Sequence, residues 1–322
     1  MRLTAAGPST IRSARPDDLA RLGPLYERAG FGARLAGVVG FARARLEGKV
    51  VVAEAGGDLA GVAAGALFGG TGWVGGVAVA PDHRRVGLGA ALTQSIIEFL
   101  EARAATTVLL HATALGRPVY ERLGFVPEVG YLTLTGPALP RTGPRPLGSA
   151  ALGETADPDH GGPASPVRPG QAGDLEGVLA PDHGDPAPPV RAGQAGDLEA
   201  VLALDRAATG EDRRRLLAAL WPAGGLVAGG ADPLGFHLAS PWRSGGATVA
   251  ADPQAGLALL EAARRVDGEK VSMSVPATNT RAVQVLEAAG FRERYRTVRM
   301  HRGPRVPWHP TAVFAAHNLF WG

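Results

Sequence analysis

The sequence predicts a mixed α/β fold built from two modules. Its length of 322 residues suits two domains, because single hydrophobic cores tend to stop growing at about 100 to 200 residues. Apolar runs of strand length alternate with amphipathic stretches of helical period along both halves. In each module we expect a twisted, mixed and largely antiparallel sheet that is flanked by helices.

The first half alternates between the two kinds of element from residue 10 onwards. Strands are predicted at 10–13, 50–55, 59–68, 73–80 and 107–112, with further strands towards 135. Helices are predicted at 17–30, 32–47, 87–103 and 116–123. The uncharged run 59–80 is long enough to cross a bilayer, but its Gly-Gly-Thr-Gly break favours two strands joined by a turn.

An arginine followed six residues later by an aspartate recurs along the chain. The pairs are Arg12 and Asp18, Arg168 and Asp174, and Arg191 and Asp197. Each is interpreted as a strand end, an aspartate N-cap and then an amphipathic helix. The same module therefore starts more than once.

The region 136–188 is dense in Gly and Pro, a composition that disfavours a packed core and indicates a linker. Its stretch 166–180 is copied almost verbatim at 189–203. We expect the later copy to open the second domain, because its helix continues without a proline. The predicted domains are 1–135, the linker 136–188, and 189–322.

Composition excludes several classes of protein. The absence of cysteine removes disulfides, thiolate metal sites and a cysteine nucleophile, and it fits a reducing compartment. The net charge is only +3 and the basic residues are scattered, which is weak evidence for nucleic-acid binding. The eight histidines are not spaced like metal ligands. The first residues lack the apolar centre of a signal peptide, so we expect a cytoplasmic protein that binds neither membrane nor nucleic acid.

The stretch VAVAPDHRRVGLGAAL at 77–92 predicts a phosphate site where a strand gives way to a helix. Helix N-termini have unpaired N–H groups and partial positive charge, so they hold phosphate when no side chain blocks the approach. Gly87 and Gly89 remove that block, and Arg84 and Arg85 add positive charge. The turn is typical of a pyrophosphate site.

Two familiar phosphate motifs do not match this turn. A nucleoside-triphosphate loop requires a lysine after its last glycine, and no lysine lies near. A dinucleotide fingerprint requires a third small residue where Leu92 stands.

The turn resembles the acetyl-CoA signature of the GNAT superfamily of N-acetyltransferases, Q/R-x-x-G-x-G/A, through Arg84, Gly87 and Gly89. The strand before it, the helix after it and the segment LLHATALGRPVYERLGF at 109–125 stand in the order and spacing of the family. Together they cover most of residues 10–135.

The resemblance implies an N-acetyltransferase that moves an acetyl group directly from acetyl-CoA to a small amine. It also implies that the strands at 73–80 and 107–112 splay apart around the pantetheine arm. Main-chain groups of the first strand would bind the pantetheine and the acetyl carbonyl, and the turn would hold the pyrophosphate. The cofactor-binding residues implied are Val77, Ala78, Val79, Arg84, Arg85, Val86, Gly87, Leu88, Gly89 and Ala90.

Tyr120 matches the family's tyrosine that quenches the departing thiolate. Because a free tyrosine has a pKa near 10 against about 8.5 for a thiol, a hydrogen bond to the sulfur would serve in place of full proton transfer. The identity of the general base stays open. Many members have a glutamate on the fourth strand where this chain has Gly75 and Gly76, and the candidates are His111, Glu54 or a water relay.

The second half ends in a similar motif, with Asn279, Ala282, Leu286 and Gly290-Phe291 in sequence. It lacks the phosphate turn and the tyrosine, so we expect a degenerate GNAT-like module that shapes the substrate cleft. This arrangement resembles the YitH-like tandem GNAT proteins. The aromatic tail after Met300 is predicted to add a final strand, to cover one domain or to make a dimer contact, so both a monomer and a homodimer stay open.

Two alternatives without turnover also stay open. The missing strand glutamate would fit an acyl-CoA-binding regulatory module. The altered second half and the aromatic tail would fit a protein-interaction scaffold.

Overall fold

The strands and helices of the computed structural model fall into two units. The structure describes residues 9–140, 187–242 and 245–321. Unit 1 contains the described residues up to Glu128 together with Val298–Arg305 and Leu319–Trp321. Unit 2 contains the described parts of Val129–Thr297 and of Val306–Asn318. The earlier duplicated copy, 166–180, lies outside the described residues.

The elements of the first half follow the predicted order closely. The strands are β1 Thr10–Ser13, β2 Lys49–Ala55, β3 Asp58–Phe68, β4 Thr71–Val79, β5 Thr107–Ala112 and β6 Val126–Pro137. The helices are α1 Pro16–Arg28, α2 Leu35–Arg45, α3 Leu88–Glu101 and α4 Arg117–Arg122.

The second half repeats this alternation. Its strands are β7 Val190–Ala192, β8 Gly225–Gly229, β9 Pro233–Ala239, β10 Gly246–Ala250, β11 Lys270–Pro276, β12 Arg292–Arg302 and β13 Val313–Ala315. Its helices are α5 Leu198–Thr209, α6 Arg214–Leu220, α7 Pro253–Ala263 and α8 Thr280–Ala288. The later duplicated copy does form the strand and helix that open this half.

The sheet of unit 1 has the order β1-β2-β3-β4-β5, with residues 298–302 of β12 beyond β5. Only β4 and β5 are parallel among these pairs. Residues 129–137 of β6 belong instead to unit 2, where β6 pairs with β11. The unit boundary at Glu128 therefore differs from the predicted module boundary at 135, because most of β6 belongs to unit 2 while residues 298–302 of β12 belong to unit 1.

Helix α3 packs on the sheet of unit 1 where the strands carry glycine. A Cβ atom on Gly65 would lie 2.5 Å from Ile96, and one on Gly72 would lie 2.8 Å from Leu100. The glycines of the uncharged run 59–80 thus let α3 approach a buried sheet, as the interpretation of that run as two strands requires. No helix in the described ranges is long and apolar enough to cross a bilayer.

Unit 2 contains a five-stranded sheet in the order β13-β10-β9-β8-β7 as well as the β6–β11 pair. The side chain of Asn279 caps α8 by accepting from the Ala282 N–H, and it donates to the carbonyl oxygens of Thr311 and Val313. The motif that ends the second half therefore holds the strand β13 of the tail. The mixed α/β fold class with largely antiparallel sheets is confirmed.

The recurring arginine and aspartate form an ion pair at the start of each half. Arg12 binds Asp18 at 2.6 Å, and Arg191 binds Asp197 at 2.8 Å. The prediction of an aspartate N-cap is wrong for Asp18. The N-cap of α1 is Arg15. Asp18 stands three residues later, inside the first turn, and its carboxylate accepts a hydrogen bond from the Arg15 N–H at 2.7 Å.

Candidate functional site

Strands β4 and β5 pair over a short distance and then diverge. Their register covers Thr71 to Trp73 against Thr107 to Leu109. Beyond it β4 stays paired with β3, and Gly76, at φ +58°, lies in a bulge opposite Ala63. The splayed pair that the sequence predicts is present, and it leaves one edge of β4 open towards the end of β5.

The turn before α3 presents a row of unpaired backbone donors. The backbone N–H groups of residues 85–90 donate no hydrogen bond to any described residue. The first N–H that does so is that of Ala91, which donates to the carbonyl oxygen of Gly87. Arg85 and Gly87 have φ angles of +65° and +84°. A row of amides at the start of a helix with left-handed residues beside it is an anion-binding arrangement.

In the described part of the chain, no side chain covers these donors. A Cβ on Gly87 would have no neighbour within 4 Å, and one on Gly89 would meet only Val79 at 3.7 Å. Val86 is 68% exposed. The residues present therefore fit a pyrophosphate, because its oxygens can reach the amides without displacing protein atoms.

The two arginines of the turn have different surroundings. Arg84 donates from Nε to the carbonyl oxygen of Val79 at 3.0 Å and from Nη2 to that of Ala29 at 2.7 Å. Its guanidinium thus braces the turn against β4 and the end of α1. The Arg85 side chain is exposed and makes no ion pair with any described residue.

Tyr120 lies half-buried on α4, with its ring edge-to-face on Phe125 at 6.1 Å. Burial raises the pKa of its hydroxyl to about 12. The hydroxyl makes no hydrogen bond inside the described part of the chain. Val77, Val79 and Tyr120 all pack against one apolar cluster that includes Leu88, the first residue of α3.

His111 stacks on Trp73, with ring centroids 5.3 Å apart and planes 20° from parallel. Burial, and then the charge of Arg299, lower the pKa of His111 to about 3. Its imidazole is therefore neutral at physiological pH, and protonating it costs several kcal/mol. The structure counts against His111 as the general base.

Glu54 is separated from β5 by the strands β3 and β4. Both Nε and Nη2 of Arg12 donate to its carboxylate, at 2.9 and 2.6 Å. The structure therefore does not bring Glu54 together with Tyr120, and it counts against Glu54 as the general base.

Sequence reasoning missed a buried ion pair beside His111. Arg299 binds Glu128 at 2.5 Å, and the two side chains are only 3% and 1% exposed. Its guanidinium carbon lies 5.7 Å from the centre of the Trp73 ring. No local pattern could have found this pair, because its members are 171 positions apart in the chain.

The corresponding turn of unit 2 is closed. The Asp252 side chain caps α7 by accepting from the Ala255 N–H at 2.8 Å. A Cβ on Gly256 would lie 2.3 Å from the ring of Phe314. A capping carboxylate repels phosphate, so α7 lacks the features that open the turn before α3.

The space between β10 and β11 is also filled within unit 2. Strand β13 pairs with β10 through Thr248 and Ala315. The Ala316 N–H, just after β13, donates to the carbonyl oxygen of Ser274 in β11 at 2.8 Å. The tail thus adds the final strand that the sequence predicted, and it does so where unit 1 has a gap.

Two family models match the chain, both described as an acetyltransferase (GNAT) domain. They cover residues 46–127 and 201–315, which together are more than half of the chain. The chain belongs to the GNAT superfamily. It is an N-acetyltransferase, and its acyl donor is acetyl-CoA.

Solved structures share the GNAT fold over nearly the whole chain. A candidate acetyltransferase from Pyrococcus horikoshii is 18% identical, with a TM-score of 0.71, over 98% of this chain and 96% of that one. A GCN5-related N-acetyltransferase from Sphaerobacter thermophilus is 18% identical, with a TM-score of 0.55, over 95% and 98%. At these identities the likeness shows the fold alone. No curated protein matches the chain in sequence.

Proposed function

We propose that unit 1 transfers the acetyl group of acetyl-CoA directly to the amine of a small molecule. The observation that carries this proposal is the row of unpaired N–H groups at 85–90, which lies beside the open edge of β4. Acetyl-CoA combines a pyrophosphate with an extended arm that carries amides, so it has one part for each of these two features.

The turn binds the phosphates through the amides of 85–90, with added charge from Arg85. Several charge-assisted hydrogen bonds, each of about 1.5 to 3 kcal/mol, give the roughly 8 kcal/mol of a micromolar complex when apolar burial of the arm is added. The main chain of Val77, Ala78 and Val79 binds the pantetheine arm and orients the acetyl carbonyl. Arg84 keeps the turn in place through the carbonyl of Val79.

Tyr120 serves as the acid at the departing sulfur. A pKa raised to about 12 keeps its hydroxyl protonated, so it donates a hydrogen bond to the developing thiolate. Neither His111 nor Glu54 suits the role of general base. The lowered pKa makes His111 a very weak base, and the carboxylate of Glu54 is bound to Arg12. The amine then loses its proton through water. A scattered charge of +3 favours a small acceptor over a polyanionic macromolecule.

The decisive test replaces Gly89 with leucine and measures acetyl-CoA affinity by calorimetry. The first side-chain carbon fits at 3.7 Å from Val79, so the fold tolerates it, while the rest of the side chain covers the amides. We expect the affinity to fall at least about tenfold, the loss of one charge-assisted hydrogen bond. The matched control is Gly40→Leu in α2, where a Cβ also has no close neighbour.

An unchanged affinity in Gly89→Leu would mean that the phosphates bind elsewhere. An equal loss of acetyl-CoA affinity in the Gly40→Leu control would mean that the substitutions act by disturbing the fold and not by covering the amides. Saturable binding of acetyl-CoA without acetylation of any amine in a broad panel would favour the regulatory alternative.

A further inference from the structure

The ring of Phe320 lies directly on the bulge of β4 in unit 1. A Cβ atom on Gly75 would lie 2.4 Å from Cδ1 of this ring, and one on Gly76 would lie 2.4 Å from Cε2 and Cζ. No real Cβ tolerates such distances. The two glycines of the segment WVGGV are therefore the residues that let an aromatic ring cover this part of the strand.

The ring covers the face of the sheet opposite to α3. Gly72 faces Leu100 of α3, and side chains alternate along a strand, so Trp73 and Gly75 face the other way. His111 stacks on Trp73 and hence lies on that same face. Phe320 thus closes the face of β4 just beyond Trp73, the last residue at which β4 pairs with β5.

The surroundings of the ring hold it in place. Phe320 is 4% exposed, and its ring meets that of Trp321 edge-to-face at 5.0 Å. The ring centroid of Trp321 in turn lies 6.4 Å from that of Phe41 in α2. The Tyr26 hydroxyl donates to the carbonyl oxygen of Gly76 at 2.9 Å, which fixes the bulge beneath the ring. These contacts make Phe320 part of a buried aromatic cluster.

We propose that Phe320 is the specificity-determining wall of the acceptor site, which limits the size of the amine and excludes water from the acetyl group. This inference rests on the proposed function. A donor whose phosphates lie on 85–90 extends along Val79 and Val77 towards the bulge, so its acetyl end arrives beside Gly76. The amine must then approach on the face that Phe320 covers.

The test replaces Phe320 with alanine and compares two probe amines, ethylamine and phenethylamine. The wild type is expected to favour ethylamine. In Phe320→Ala, kcat/KM for phenethylamine relative to ethylamine should rise by about tenfold, the order expected when apolar space is opened in a pocket. The Kd for acetyl-CoA should stay within about twofold, because no contact to the phosphate turn changes.

A second readout needs no acceptor. Water that reaches the thioester attacks its carbonyl carbon, the carbon–sulfur bond breaks, and acetate and the thiol of CoA are released. The rate of thiol release without amine should therefore rise by about tenfold in Phe320→Ala. This readout holds even if neither probe amine is a substrate.

The matched control is Phe68→Ala, because Phe68 is also a buried phenylalanine but lies at the hairpin between β3 and β4. It should lower stability without changing the amine ratio or the release of thiol. If Phe320→Ala fails to fold, Phe320→Leu keeps an apolar side chain there and should shift both readouts in the same direction.

Unchanged readouts in folded Phe320 variants, or equal changes in Phe68→Ala, would overturn this inference while leaving the proposed function intact. Failure of the wild type to bind acetyl-CoA would instead overturn the proposed function. The two failures are therefore distinguishable.

Discussion

Arg84 donates a hydrogen bond from Nε to the carbonyl oxygen of Val79 over 3.0 Å. Its Nη2 atom donates to the carbonyl oxygen of Ala29. An exposed arginine in a phosphate turn would ordinarily be interpreted as a charge that meets the ligand. Here the guanidinium of Arg84 donates to backbone carbonyl oxygens, so Arg84 holds the turn in position. Arg85 is the arginine whose exposed side chain makes no ion pair with the described residues and can meet a ligand.

The first prediction separates these two roles by salt. Arg84→Ala should weaken acetyl-CoA binding by about tenfold at both low and high ionic strength, because loss of hydrogen bonds that hold the turn is not screened. Arg85→Ala should weaken binding at low salt only, since the charge of an exposed side chain is screened by ions. Calorimetric titrations at two salt concentrations measure both. The reverse pattern would show that Arg84 meets the phosphates directly.

The second prediction concerns the hydroxyl of Tyr120. Tyr120→Phe should lower kcat by about 10²-fold or more, the usual contribution of a positioned acid, with the Kd for acetyl-CoA unchanged. Thermal stability should change little, because the hydroxyl makes no hydrogen bond within the described residues. Since its pKa is raised to about 12, the activity should not fall through its ionisation at mildly alkaline pH.

The matched control for Tyr120 is Tyr295→Phe, which removes a hydroxyl from an exposed position in unit 2. Its kcat should equal that of the wild type. A wild-type rate in Tyr120→Phe would remove the proposed role of that residue.

The third prediction concerns His111. With a pKa lowered to about 3, this side chain is neutral throughout the physiological range. His111→Gln should therefore leave the inflection points of the pH–rate profile where they are, even if the level of activity changes through the lost stacking on Trp73. A wild-type inflection near the ordinary histidine pKa that disappears in His111→Gln would restore His111 as the general base.

The features that the sequence predicts correctly are those that a local pattern of residues determines. The predicted strand at 107–112 matches β5 at both ends, and the helix predicted from 87 begins one residue later, at Leu88. Both depend on short-range information, namely apolar alternation and glycine next to a helix start. The pairing of β4 with β5 and its early end follow from the resemblance to the family.

Long-range pairing could not be predicted in the same way. Nothing in the residues near Arg299 indicates that it pairs opposite His111 or binds Glu128. Gly75 and Gly76 illustrate the same limit. In the sequence they indicate a missing acid, but in the structure they are small because the ring of Phe320 lies on them.

The fourth prediction uses the ion pair that opens unit 1. Arg12, and with it the Arg15 N–H, lowers the pKa of Asp18 from 3.8 to about 2. Because the folded pKa is depressed, the stabilisation is complete above the ordinary value and is lost as the pH falls through the folded value. Asp18→Asn should therefore lower the free energy of unfolding at neutral pH by on the order of 2 kcal/mol.

Urea unfolding at a series of pH values measures this effect. The difference between wild type and Asp18→Asn should shrink as the pH approaches 2, the folded pKa of Asp18. Asp197→Asn serves as the parallel variant in unit 2, where Arg191 lowers the pKa of Asp197 to about 2. A difference that does not depend on pH would mean that shape, and not charge, stabilises these helix starts.

The fifth prediction is that each chain binds one molecule of acetyl-CoA. In unit 2 the Asp252 carboxylate caps α7, and the ring of Phe314 fills the space beside Gly256. The β13 strand also pairs with β10, and Ala316 just after it bonds to β11, so a pantetheine arm would have to displace this segment.

Calorimetry should give a stoichiometry of one for the wild type and for Asp252→Ala, because removing the cap leaves β13 in the gap. Gly89→Leu should weaken that single binding event, since it covers the amides at 85–90 of unit 1. A stoichiometry of two in the wild type would contradict the closed state of unit 2. A second binding event that emerges only in Asp252→Ala would show that the capping carboxylate alone excludes the cofactor, and that β13 yields to it.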